Sequence, residues 1–365
     1  MADGLGAGKM RILYGVQGTG NGHITRARTM AKALADSSIE VDFLFSGRPR
    51  DKFFDMKAFA DFRCLRGLTF CWNNGKIDHL RTVLGNNLVR FIQDVRSLDL
   101  SDYDLVITDF EPISAWAAKL QNKPSIGIGH QYAFSSGQVP TSGHTLLGSM
   151  VLKHFAPAQR SIGFHWHHFN GAILPPMIEP LNHPLTFIED KILVYLPFEN
   201  SNRVVDFLRV IKDVNFYIYC DTAQASDDQN IHLRPFHRGA FQQDLASCNG
   251  VIANAGFGLL SEAIQAGKKL LVRPMQGQME QLSNAEAIEK LDIGEVMYEF
   301  NLKQLREWLS DDCPGPRPYP NVAKAIVEWI ESDFSVDEME LAEQLWRNCL
   351  QFQFSAEDEP ASVCA

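Results

Sequence analysis

Residues 15–34 read GVQGTGNGHITRARTMAKAL and follow the apolar run MRILY at 10–14. An apolar run, a glycine-rich turn and then a helix-forming stretch is the pattern of a buried strand feeding a helix. Bare backbone at such a helix start offers N–H groups and the positive end of the dipole to an anion or an oxygen. Gly18, Gly20 and Gly22 are spaced G-x-G-x-G. The dinucleotide fingerprint G-x-G-x-x-G wants its third glycine at 23, where His23 stands. A Walker loop fails as well, because the Gly-Lys of GAGKM (6–10) precedes the strand and lacks a Ser or Thr. Gly18 and Gly20 therefore offer an anion site outside the standard nucleotide cradles, or else a plain strand-to-helix turn. His23 is either a turn histidine or a general base at a cleft mouth, where the helix dipole favours the neutral imidazole.

Working outward, the same alternation recurs. IEVDFLFSG (39–47), YDLVITD (103–109) followed by PISAWAAKL, and PSIGIG (124–129) predict further strands and a helix. AILPPMIEPLNHPL (172–185) has four prolines, which break helix and ladder alike and predict a linker. The alternation then restarts with KILVYLPF (191–198), a helix near 201–212, VNFYIYC (214–220), GVIANAG (250–256) and KKLLVRP (268–274). The expected class is α/β, with parallel sheets covered on both faces. The expected organisation is an N-terminal domain over 1–178, a second over 186–333, a helix over 334–352 packing back on the first, and a disordered tail over 353–365.

At 365 residues the chain suits two such domains. A formal net charge of −10 argues against a nucleic-acid partner. Seven scattered cysteines without a C-x-x-C pair imply neither disulfide framework nor zinc site and point to the cytoplasm. No signal peptide and no 18-residue apolar run is evident, so lipid-linked material would be met only at a membrane surface.

The second informative stretch is CNGVIANAGFGLLSEAIQAGKKLLVRPMQGQMEQLSNAEAI, 248–288. It parses as strand, glycine turn, helix, strand, polar loop, helix. Asn254, Gly256 and Gly258 put bare backbone at a helix start, again an anion site. Glu262, one turn into that helix, suits the two hydroxyls of a ribose whose diphosphate lies on the glycines. Gln276, Gln278 and Gln281 suit sugar hydroxyls.

Taken together, GTGNGH near the N-terminus, VITDFEPISAWAA, ILPPMI and NAGFGLLSEAIQAGKKLLVRPMQGQMEQLSNA resemble the GT-B glycosyltransferases. The closer similarity is to family-28-like bacterial and archaeal proteins, relatives of the N-acetylglucosaminyltransferase of peptidoglycan synthesis. That enzyme has G-G-T-G-G-H, whereas Gln17 and Asn21 replace two of those glycines here. The resemblance implies two Rossmann-like domains around a cleft. It implies a nucleotide sugar, UDP-linked in the leading reading, held by the second domain and an acceptor held by the first. Gly256, Gly258 and Ser261 would line the diphosphate, Glu262 the ribose, Gln278 and Gln281 the donor sugar and Phe236 the base, with His23 beside the acceptor hydroxyl. It implies helix dipoles rather than a metal at the leaving group, hence no cofactor.

His23, Asp109 and Glu111 are the candidate bases. The acids end a strand, where parallel sheets place ligand groups, and either can instead cap the next helix, a role expected more of Asp109 than of Glu111. His130 and Gln131 end another strand and are candidate acceptor contacts. Arg48, Arg26 and Arg28 bring positive charge near the first turn, with Arg48 a candidate contact for a phosphate-bearing acceptor. Asp102 and Asp104 form a D-x-D in an exposed turn. HWHHF (165–169) reads as strand, with His165 and His167 on one face. FSSGQVPTSGHTLLG (134–148) reads as an acceptor loop. The acceptor class stays open among glycan, lipid-linked and small-molecule substrates. A nucleotide-sugar epimerase or hydrolase and a non-catalytic nucleotide-sugar binder are the alternatives.

Overall fold

The computed structural model describes residues 9–53, 55–68, 72, 73, 76, 77, 87–135, 138–143, 153–180 and 183–353. Of the expected loop over 134–148, residues 136, 137 and 144–148 lie outside them, as does the expected tail beyond 353. In the N-terminal half the strands are β1 (Arg11–Gln17), β2 (Glu40–Ser46), β3 (Arg63–Cys64), a short β4–β5 hairpin (Trp72–Asn73 with Lys76–Ile77), β6 (Leu105–Asp109), β7 (Ser125–Gly129), β8 (Arg160–Phe164) and β9 (Ile173–Leu174). All but the hairpin join one sheet, ordered β3-β2-β1-β6-β7-β8-β9 and parallel throughout. Its central strands are buried on both faces, which is why they read as continuous apolar runs.

The second half repeats the plan with β10 (Ile188–Tyr195), β11 (Asn215–Tyr219), β12 (Ser226–Asp228), β13 (Ile231–Arg234), β14 (Cys248–Asn254), β15 (Lys269–Arg273) and β16 (Glu295–Val296). The order is β12-β13-β11-β10-β14-β15-β16, antiparallel only at β12–β13. In each sheet the chain reverses its winding direction beside the first strand, between β1 and β6 and between β10 and β14. Open parallel sheets bind ligands outside the carboxyl ends of strands at such points.

The helices are α1 (Asn21–Ala35), α2 (Leu88–Ser97), α3 (Pro112–Leu120), α4 (His130–Ala133), α5 (Ser201–Leu208), α6 (Arg238–Ser247), α7 (Phe257–Gln265), α8 (Met279–Lys290), α9 (Leu302–Ser310), α10 (Val322–Glu331) and α11 (Glu338–Gln353). Among the described helices of eight residues or more, most begin on a side chain that accepts a first-turn N–H: Asn87, Glu111, Asn200, His237, Gln278, Asn301, Asn321 and Asp337. The exceptions are α1, which begins on Gly20, and α7, which begins on Gly256. Glycine at a helix start costs only about a few tenths of a kcal/mol relative to a side-chain cap, and both glycine starts fall at a sheet's switch point.

Two expectations need correction. HWHHF is not strand: β8 ends at Phe164, and His167 and His168 each accept the N–H two residues on, closing turns. The return to the N-terminal half comes before 334, because α10 already packs on α1 and Ser38 bonds Glu331. Helix α11 then reaches β9, where the Trp346 indole donates to the Ile173 carbonyl at 2.7 Å.

Candidate active site

The carboxyl end of β1 supplies the first wall of the crevice. Gly18 N–H donates to Ser46 O at 2.6 Å, and a side chain at Gly18 would meet Phe53 and that same carbonyl. Gly18 is thus a close-packing position whose N–H is already spent, a correction to its expected role as an anion donor. Gly20 is the uncapped start of α1, and a Cβ on Gly22 would meet nothing within 4 Å.

One turn into α1, His23 Nδ1 lies 2.7 Å from Oδ1 of Asp109, the last residue of β6 and the neighbour of β1 in the sheet. Arg26 Nε donates to Asp109 Oδ2 at 2.8 Å, and its Nη2 reaches Oδ1. The Asp109 side chain is fully buried. Burial works to raise its carboxyl, but the Arg26 guanidinium, followed by His23, holds it below the usual carboxylate range. Asp109 can reach sideways because Phe110 adopts the left-handed backbone, φ 53°, and reverses the chain at once. Glu111 then points back under the sheet. It accepts from Ile113 N–H at 2.9 Å, Ser114 N–H at 2.6 Å and the Ser46 hydroxyl at 2.6 Å, with no exposure. The expected roles are therefore exchanged: Glu111 caps α3, and Asp109 faces the histidine. Burial raises the Glu111 carboxyl despite these bonds. The fit is tight enough that a Cβ on Gly15 would fall 2.0 Å from Ser114 Oγ.

The opposite wall comes from the carboxyl end of β14. Gly256 begins α7, and a Cβ there would meet nothing within 4 Å. A Cβ on Gly258 would find Gly22 Cα at 4.0 Å as its nearest neighbour, so the two glycine turns face one another across the halves. Glu262, on the same helix, is half-buried. Burial foremost, then the neighbouring Glu179 carboxylate, pushes it up to about 7, against the pull of Arg238. Arg238 ties Glu179 to Asp55 (2.7 Å), and Lys32 joins Glu179 at 2.6 Å. Phe236 is exposed on the loop after β13, its ring 6.0 Å from that of Tyr195.

Several expected ligand residues turn inward instead. Ser261 is buried, donating to Phe257 O at 2.6 Å and accepting from the Trp166 indole at 2.8 Å. Gln281 is buried, and its Oε1 accepts from Ala255 N–H and Met275 N–H, clamping the glycine turn to the following loop. Gln278 caps α8 through Gln281 N–H, while Gln276 is exposed. His130 is buried in a joint between the halves: it stacks on Phe257 at 3.9 Å, with Nδ1 at Phe164 O (2.8 Å) and Nε2 at Asn284 Oδ1 (2.7 Å). Ser261, Gln281 and His130 thus spend their side chains within the protein, which corrects the donor and acceptor contacts expected of them. Gln131 stays near the crevice, donating to Glu280 Oε2 at 3.1 Å while its buried Oε1 has no partner among the described residues. Asn254 donates to Arg273 O, and its Oδ1 is likewise unpartnered. Arg48 donates to Gly18 O and lies 3.3 Å from Asn21 Oδ1, so it braces the first turn.

In the sequence Arg26 counted only as positive charge near the first turn, with no tie to Asp109. The signal available was its spacing, three residues after His23 and so on the same helical face. No group of three or more His, Cys, Asp or Glu side chains among the described residues is arranged to hold a metal ion. No described helix is long and apolar enough to cross a membrane.

The glycosyl transferase family 1 profile matches residues 10–312. No curated protein matches the chain. Among solved structures, the glycotransferase of kitacinnamycin is similar at 14% identity and TM-score 0.57, over 92% of this chain and 98% of that one. LpCGTa, solved in complex with UDP, is similar at 13% identity and TM-score 0.56, over 95% and 100%. MurG of Acinetobacter baumannii is similar at 15% identity and TM-score 0.55, over 89% and 99%. Likeness at such identity shows the GT-B fold, and the matched profile gives the family. The chain belongs to glycosyl transferase family 1, and is a GT-B glycosyltransferase.

Proposed function

We propose that this glycosyltransferase draws its sugar from a nucleoside-diphosphate donor, UDP-linked in the leading reading, and passes it to an acceptor hydroxyl without a metal. The observation that carries the proposal is the pair of uncapped helix starts, Gly20 and Gly256, set at facing switch points while the other long helices are capped by side chains. Two bare N-termini supply N–H groups and positive potential where a diphosphate leaves. Glu262 then receives the ribose hydroxyls, and Phe236 lies on the loop where the base would rest. The solved relatives support this class of donor, since LpCGTa was solved with UDP and the glycosyltransferase VinC with dTDP.

In this reaction His23 Nε2 takes the acceptor proton while Nδ1–H is held by Asp109. The acceptor oxygen bonds the anomeric carbon as the bond to the donor phosphate breaks, and the diphosphate leaves with that electron pair. The acceptor would approach from the N-terminal half, past Gln131, and the cytoplasm is the compartment that fits such a donor. The experiment is titration calorimetry against UDP, dTDP, GDP and CDP without divalent metal and with EDTA. Binding of one diphosphate in EDTA is expected; no binding by any of the four, or binding that needs Mg²⁺ or Mn²⁺, rejects the proposal.

A further inference from the structure

We propose that Arg26 is a positioning residue that selects the tautomer of His23, keeping the lone pair on Nε2, where an acceptor hydroxyl can meet it. The inference rests on reading His23 as the base, and its test is kept separate from that reading.

The geometry is specific. Oδ1 of Asp109 is shared by two groups, Arg26 Nη2 and His23 Nδ1. Arg26 Nη2 also lies 3.0 Å from His23 Nδ1. A guanidinium only donates and an ionised carboxylate only accepts. With Asp109 ionised, Nδ1 must carry the hydrogen, and the 3.0 Å approach is two donors converging on one oxygen. Nε2 is left bare. Because Arg26 also bonds Oδ2 through Nε at 2.8 Å, it fixes the plane of the carboxylate and hence which oxygen faces the imidazole.

The same contact decides whether Asp109 is ionised. Its side chain has no exposure, and that of Arg26 is 8% exposed, so water contributes little to the carboxylate's stability. Burial works toward protonating it, and Arg26 is the foremost group opposing that. A protonated Asp109 would donate to Nδ1, the hydrogen of the neutral ring would move to Nε2, and the base would present N–H to the acceptor. Arg26 therefore does more than balance a buried charge: it chooses which nitrogen works. Two neighbours bear on the pair: the buried Tyr14 hydroxyl, pushed up by burial and by the Asp109 carboxylate beside it, and Glu280 of α8, whose charge favours the Arg26 guanidinium.

The test is ¹⁵N-histidine NMR of the full chain at a pH where imidazoles are neutral, with His23→Gln to assign the signal. The wild type is expected to show the Nδ1–H form of His23, and Arg26→Gln the Nε2–H form or a mixture. Unchanged Nδ1–H in a folded Arg26→Gln overturns the proposal. Should Arg26→Gln not fold, Arg26→Lys carries the test, because an amine makes one contact where the guanidinium makes two, so Asp109 is held ionised less firmly and is free to turn from Nδ1. Tautomer mixing is then expected, and an unmixed Nδ1–H signal overturns the proposal. Transfer that survives His23→Ala would instead sink the base assignment and leave the tautomer result standing.

Discussion

At Glu262 a carboxylate is held half out of water beside a second one, Glu179, and is pushed up to about 7. The unfolded chain carries an ordinary glutamate, so between that ordinary value and about 7 the folded chain binds more protons. Stability contributed here is present at acid pH and lost as pH rises through that window. Glu262→Gln is expected to stabilise the free protein by about 1–3 kcal/mol at pH 8 and not at pH 4, as read by urea denaturation at both. The same substitution should weaken UDP binding by about 1–3 kcal/mol at pH 8, since the ribose loses a charged acceptor; equal affinities by calorimetry would refute it. The placing of His23 and Glu262 in the helices that follow the glycine turns was legible in the sequence, because an apolar run, a glycine turn and a helix-forming stretch fix the order of elements. Asp109 and Glu111 were not, since which acid caps α3 depends on the left-handed backbone of Phe110, and no composition rule marks a phenylalanine for that. Ser261 and Gln281 misled for a related reason: polar side chains on a helix read as ligands until their backbone partners are known.

Helix starts give the next scale. The eight side-chain caps and the two glycine starts separate ordinary element boundaries from the pair that faces the crevice. Gly256 has φ −78°, a conformation open to any residue, and empty space where a Cβ would go. Gly256→Val is therefore expected to leave the melting temperature within about 2 °C of wild type and to weaken UDP binding at least about tenfold, because the branched side chain fills the phosphate position. A folded variant with unchanged affinity would remove α7 from the donor site. Elements were the most readable part of the sequence. The apolar runs at 10–16, 103–109 and 250–256 became β1, β6 and β14 with shifts of a residue or two. HWHHF failed because its run of aromatic rings mimics a strand, whereas its imidazoles bond their own backbone.

Between the halves, His130 and Phe257 stack, His130 meets Asn284, and Trp166 meets Ser261. The joint lies against the second glycine turn, since Phe257 stands between Gly256 and Gly258 and Asn284 donates to Ala255 O. His130→Ala strands Asn284 Oδ1 and opens a gap beneath Phe257, and is expected to lower the urea midpoint by an amount equal to about 2–4 kcal/mol. Nucleotide addition should recover part of that loss if the donor grips both halves; no recovery at saturating UDP would separate the joint from donor binding. The two-sheet plan was legible from the repeated alternation and the prolines at 175–184. The point of return was not, because nothing in the sequence of α10 says which half it will pack on.

The turn at Gly267 touches both connections between the halves. Lys268 Nζ donates to Thr186 O on the outward one, and a Cβ on Gly267 would fall 2.3 Å from Gly315 C on the inward one. Two tethers that pass the same point make a door hung on one edge rather than a ball on a string. Any widening of the cleft must swing about that edge, so the jaw opens farthest at the side away from it and shuts in a fixed register.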